Sequence, residues 1–155
     1  MIYTDQLKRE IELPHPPQRI ISLVPSITEL LVDLGLMNQL VGRTKFCVHP
    51  PEVSTVPKIG GTKQVHFDRI TALKPDLIIA NKEENDRSQV ERLVEQYPVW
   101  ISDVPNFPAA LEMILQLGYL LKVQEKSQHV VAQSQLKMAA CLPQSSKRTA
   151  YLIWR

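Results

Sequence analysis

No window of this sequence holds the roughly 18 consecutive apolar residues that a membrane-spanning helix needs. The opening stretch, MIYTDQLKRE, is charged and lacks the apolar core of a signal peptide. The expectation is a chain without direct membrane insertion, either resident in the cytoplasm or starting after a removed leader. Cysteine is scarce. Cys47 and Cys141 lie far apart in no CxxC or metal-type spacing, so they read as unpaired, partly buried thiols. Neither sign of charge is in excess: the net charge is +2 with acids and bases interspersed, which excludes a nucleic-acid or membrane-surface signature.

The reactive motifs are missing as well. GxGxxG does not occur, so a dinucleotide loop is not expected, and GxxxxGK[ST] is absent although IGGTK superficially resembles it. Ser26 in VPSIT has no flanking glycines, which excludes a hydrolase elbow. No pair of acids has a spacing that suggests general acid–base work. Asp103, alone at a strand end, reads as a cap or turn residue. Cys47, His49 and His66 are the only cluster of soft ligands, and all three fall in one irregular loop. They read as loop residues, and no metal site is expected.

What is present is alternation. The 155 residues suffice for one domain with a real core and are too few for two full ones. Twelve prolines are spread along the chain as punctuation. Ile20 to Val24 is a strand-like apolar run ended by Pro25. Ser26 and Thr28 are placed to cap a helix, with Glu29 in the capping-box position, and Gly35 is its stop. QLVGRT is a second short strand, and HFDRITALKP a short helix with Phe67, Ile70 and Leu73 on one side. DLIIA is a continuous apolar run of the kind buried on both faces of a parallel sheet. DRSQVERLVEQY has helical spacing, and VWIS is the next strand. From Phe107 to about Cys141 runs one long helical pattern, apolar first and polar later, with Gly118 as its candidate bend. RTAYLIWR begins another strand.

This order predicts an α/β fold: a three-layer αβα lobe with a mostly parallel sheet, followed by a long interdomain-type helix. Residues 1–17 read as an N-terminal extension, 18–106 as the lobe and 107–142 as the long helix. Residues 143–155 then read as the first strand of a truncated second lobe, expected to stay out of the main sheet. Ligands of such sheets bind beyond the carboxyl ends of the strands, here Pro25–Ser26, Thr44 to Phe46, Asn81–Lys82 and Ser102–Asp103. The charged stretch NKEENDRS is explained as a solvated loop and helix start, where acids suit the positive end of the dipole. A rim without reactive machinery favours binding over catalysis, so the chain is not expected to be an enzyme.

The ordered set RIISLVPSITELLVDLG, LVGRTKFCVHPP, KIGG, DRITALKPDLIIA and YPVWIS, then the long helix, resembles the amino-terminal lobe of the helical-backbone periplasmic binding proteins. These are the receptors of ABC importers for cobalamin, haem and ferric siderophores. The resemblance covers residues 18 to 155 and is strongest to the cobalamin branch. It implies two lobes joined by one rigid helix, with ligand held between them. It implies that Phe46 packs against the ligand as an aromatic does in the cobalamin binders. Thr62 and Asn81 fall where the best-known cobalamin binder has tryptophans, a departure that favours a more polar metal chelate over a corrinoid. The ligand-binding set is then Pro25, Ser26, Phe46, Gly61, Thr62 and Asn81, and no bound cofactor is implied. Asp68 falls at the acid that docks on the ABC permease, a location that implies the periplasm or cell envelope. A cytoplasmic α/β ligand-sensing or interaction module with the same fold is the alternative.

Overall fold

The computed structural model describes residues 1–141. The segment read as an extension is part of the lobe. Strands β1 (Ile2–Thr4) and β2 (Glu10–Glu12) pair antiparallel with Tyr3 opposite Ile11. Each strand alternates exposed, buried, exposed, so Tyr3 and Ile11 point inward while their neighbours stay in water. These strands are not legible beforehand because three residues carry almost no periodicity.

The apolar run after Arg19 becomes β3 (Ile20–Ser22), fully buried. Helix α1 (Pro25–Asp33) follows directly. Its start differs from the expected cap: Val24 holds the N-cap position with no side-chain bond, and Pro25 occupies the first helical turn. Proline suits that place because it lacks an N–H that would go unpaired there. Ser26 is therefore inside the helix and exposed. Thr28 turns its hydroxyl inward, donating to Ser22 Oγ at 2.8 Å and Val24 O at 3.0 Å. The helix stops at Gly35 as expected, with Gly35 N–H bonded to Val32 O and Leu36 N–H to Leu31 O, the paired closure of a left-handed cap.

Next come β4 (Leu40–Arg43), α2 (Phe67–Leu73), β5 (Leu77–Asn81), α3 (Arg87–Val94) and β6 (Val99–Ser102). The four strands lie in the order β4-β3-β5-β6, every pair parallel. Right-handed crossovers then require α1 on one face of the sheet and α2 and α3 on the other. Strands β5 and β6 are buried from Leu77 to Ala80 and from Val99 to Ser102, as strands covered on both faces must be; β6 is an edge strand whose open side is covered as well. The β1–β2 turn lies along the free side of β6. Arg9 donates to Val99 O at 2.7 Å, Ile101 N–H to the Asp5 carboxylate at 3.3 Å, Gln6 N–H to Ile101 O at 3.3 Å, and Asp103 N–H to Gln6 Oε1 at 2.9 Å.

The expected single helix from Phe107 is two helices. Helix α4 (Phe107–Leu120), capped by Asn106, and α5 (Gln124–Ala140) are separated by a turn. Lys122 takes the left-handed conformation with φ 60°, and Val123 N–H reaches back to Gly118 O at 2.8 Å. The chain doubles over so that Gly118 and Ser127 touch; a β-carbon on Gly118 would overlap the Ser127 hydroxyl. Gly118 is thus a site of close approach within α4 rather than the bend. Lys126 then ties the start of α5 to Leu34 O at 3.0 Å, at the end of α1. The expected strand in 143–155 lies outside the described residues.

Candidate functional site

Strand order reverses at β3: the chain steps from β3 to β4 on one side, then crosses back to β5 and β6 on the other. In open parallel sheets that reversal leaves a crevice beyond the carboxyl ends of the two inner strands. A groove of ≈ 400 Å³ lies there, between Ser26 and Ile27 after β3, Asn81 and Glu83 after β5, and Ser102 and Val104 after β6.

The segment after β4 forms one wall of the rim. Arg43 is buried, and its guanidinium donates to four carbonyls: Val53 at 2.5 Å, Cys47 at 2.8 Å, and Thr44 and Ser54 at 3.3 Å each. No carboxylate among the described residues meets it. The loop therefore wraps around a cation, its backbone acceptors turned in and its side chains turned out. Lys45, Phe46 and Val48 are exposed, with Phe46 at 52%. Thr44 and Cys47 are the inward exceptions, both buried, with the Cys47 thiol 3.1 Å from the Thr44 hydroxyl. His49 and His66 are exposed, and among the described residues no group of three metal-ligating side chains forms.

Gly60 and Gly61 shape the neighbouring turn. Gly60 has φ +122°, and a β-carbon there would strike the Gln64 carbonyl, so only glycine fits. A β-carbon on Gly61 would rest 3.4 Å from Phe46 Cε2, which places the Phe46 ring against this turn. The Lys45 ammonium sits 5.0 Å from the centre of the same ring, within cation–π range.

The segment after β5 is built the opposite way. Asn81 Oδ1 accepts from Glu83 and Glu84 N–H at 2.9 Å each, and its Nδ2 donates to Ser102 Oγ at 3.0 Å. Both ends of that amide are engaged within the protein. Asn85, which the sequence reading passed over as part of a solvated loop, is buried and joins three rim segments. It donates to Leu23 O at 3.2 Å and Thr62 O at 2.9 Å, and it accepts from Asn81 N–H at 2.8 Å. One turn later, Gln89 bonds Lys63 O and Val65 N–H of the same loop. Lys82 pairs with Asp103 at 2.9 Å, and that hydrogen bond and charge raise its pKa. Asp86 caps α3 by accepting from Gln89 N–H. The Ser88 hydroxyl and this N–H hold its carboxyl below the ordinary value.

Of the expected ligand residues, Ser26 and Asn81 line the groove, while Phe46 and Gly61 touch each other on the adjoining wall. Thr62 follows Gly61 in the chain and is joined to Asn81 through Asn85, and Pro25 begins α1 beside Ser26. Asp68 stands apart, exposed in the first turn of α2. No helix among the described residues is long and apolar enough to cross a membrane.

The fold is shared with known proteins. A vitamin B12-binding protein of Pectobacterium carotovorum subsp. carotovorum is 33% identical over 102 residues, covering 63% of this chain and 37% of its own. The crystal structure of the periplasmic vitamin B12-binding protein of Vibrio cholerae superposes with a TM-score of 0.72 at 26% identity, over 82% of this chain and 51% of that one. A periplasmic heme-binding protein from Pseudomonas aeruginosa gives 0.75 at 25% identity, over 80% and 45%. The chain thus spans about half, or less, of the length of these relatives. The family model described as periplasmic binding protein matches residues 20–153, nearly the whole sequence. That family consists of substrate-binding proteins and not of enzymes, and the chain belongs to it.

Proposed function

We propose that this chain is the amino-terminal ligand-binding lobe of a receptor for an ABC-type uptake system, and that it takes a cobalamin-like or iron-chelate ligand at its strand-end rim. The observation that carries the reading is an exposed aromatic, Phe46, held against Gly61 at the rim of a periplasmic-binding-protein lobe. A flat-faced ligand gains most from such a ring. Vitamin B12 and heme, named for the relatives, both have flat faces. The lobe works by holding ligand and not by chemistry: its strand ends supply an aromatic ring, a groove lined by both apolar and polar side chains, and fixed loops.

On this reading Asp68 meets the permease. Its exposure in a short helix away from the groove leaves it open to a basic partner. The compartment is the cell envelope, where such a permease is reached. A second lobe would close over the rim, so one lobe alone binds weakly because half the burial is missing.

The test is a tryptophan-fluorescence titration with cyanocobalamin, heme and a panel of ferric chelates, on this chain and on a form carrying a complete second lobe. Saturable quenching by one ligand class, tighter with both lobes, is expected. A well-folded protein with no response to any class would favour a cytoplasmic sensing or interaction module instead.

A further inference from the structure

We propose that Lys45 is the specificity-determining residue of this rim, selecting flat ligands that carry an anionic group at the edge nearest the Lys45–Phe46 loop. The inference rests on the reading that the rim holds a flat ligand, and it names the charge that ligand must carry.

Three observations lead there. First, Lys45 is exposed, and its ammonium makes no hydrogen bond or ion pair with a described residue. The other rim lysines are occupied: Lys82 by Asp103 and Lys63 by the Glu83 carbonyl at 2.8 Å. Second, Lys45 is already placed. Its backbone N–H bonds Gly60 O at 2.7 Å, its stem passes 3.6 Å from the β-carbon position of Gly61, and its ammonium stands over the Phe46 ring. A ligand stacked on that ring therefore meets a cation already positioned at its edge. Third, the loop encloses the Arg43 guanidinium, which carbonyls solvate and no described carboxylate neutralises. Both charges on this wall are positive.

The facing segment differs. Glu83 and Glu84 are exposed on it and tied by their backbone N–H groups to Asn81. The two segments therefore differ in charge: an ammonium with no described partner stands beside the aromatic ring, while Glu83 and Glu84 line the groove next to a lysine, Lys82, that Asp103 already neutralises. A ligand of uniform charge would meet repulsion on one side. One with an acidic edge turned toward Lys45 meets none.

The experiment compares probes that share a flat core and differ only at the edge. These are iron(III) mesoporphyrin against its dimethyl ester, and a cyanocobalamin monocarboxylic acid against cyanocobalamin. Affinities are measured on the 155-residue chain by absorbance titration. The acid is expected to bind more tightly than its neutral counterpart in at least one pair. Lys45→Met should reduce that acid-to-neutral ratio about fivefold, the upper end of what one exposed ion pair supplies. Lys45→Glu should bring the ratio below one, while Lys137→Met, on the far part of α5, should leave it where it was. An acid-to-neutral ratio near one in the unmodified chain, or one that Lys45→Met does not move, overturns this inference and leaves the receptor reading standing. No saturable binding of any probe, by this chain or by the form carrying a complete second lobe, overturns both.

Discussion

The two walls of the rim, Thr44–Val48 after β4 and Asn81–Asp86 after β5, occupy equivalent places in the sheet and are held by opposite means. In the first, a buried side chain from below, Arg43, gathers the backbone carbonyls and leaves Lys45, Phe46 and Val48 to face outward. In the second, the loop's own side chains, Asn81 and Asn85, turn inward and bind the backbone. A wall of the first kind presents chemistry to a ligand, and one of the second kind presents shape. This distinction predicts which substitutions alter affinity and which alter stability.

The largest expected effect is on the first wall's support. Arg43→Met strips a donor from four carbonyls; those of Val53 and Thr44 keep a backbone N–H, those of Cys47 and Ser54 keep none among the described residues, and the loss should cost about 3 kcal/mol in urea unfolding. Asn85→Ala unties Leu23, Thr62 and Asn81 together and should cost about 2–3 kcal/mol, with ligand affinity falling as a consequence of a looser groove. Asn81→Ala and Phe46→Ala form the sharpest contrast. The first should lower stability by about 1 kcal/mol through the lost turn bonds. The second should leave stability within about 0.5 kcal/mol, as exposed side chains do, yet weaken binding of a flat ligand about tenfold. If Asn81→Ala instead weakened binding without loss of stability, the division between the walls would fail. The smallest effect concerns Asp86. Its carboxyl is held below the ordinary value of 3.8, so its cap supports the fold above that pH and is lost as pH falls through the lowered value. The stability difference between the natural chain and Asp86→Ala should shrink on acidification through that range.

Much of the fold is legible in the sequence because buried parallel strands announce themselves. Leu77–Ala80 and Val99–Ile101 are unbroken apolar runs between helices, and Gly35 marks a helix end through backbone geometry that few other residues adopt. The α4–α5 turn is hidden for the converse reason. Its left-handed residue is a lysine, with neither glycine nor proline at the break, and apolar residues continue through Leu120, Leu121 and Val123. Cap choice at α1 is hidden because Pro25 and Ser26 are both good first-turn residues and only the backbone decides between them. The strand-end residues can be located from the sheet order alone. Their organisers cannot: Arg43 and Asn85 are polar residues beside charged ones, and nothing local distinguishes a buried amide or guanidinium from a solvated one. Three segments distant in sequence had to meet at Asn85 before it had any role.

The β1–β2 turn that lies along β6 has a consequence for how molecules of this protein meet each other. An outer strand with free N–H and C=O groups is a template on which another chain can add a strand, and proteins commonly blunt such borders. Here Asp5, Gln6 and Arg9 occupy the outward groups of Val99, Ile101 and Asp103. The first dozen residues therefore act as a selvage for the sheet: they finish its margin beside β6, so that no further strand can be laid along that side.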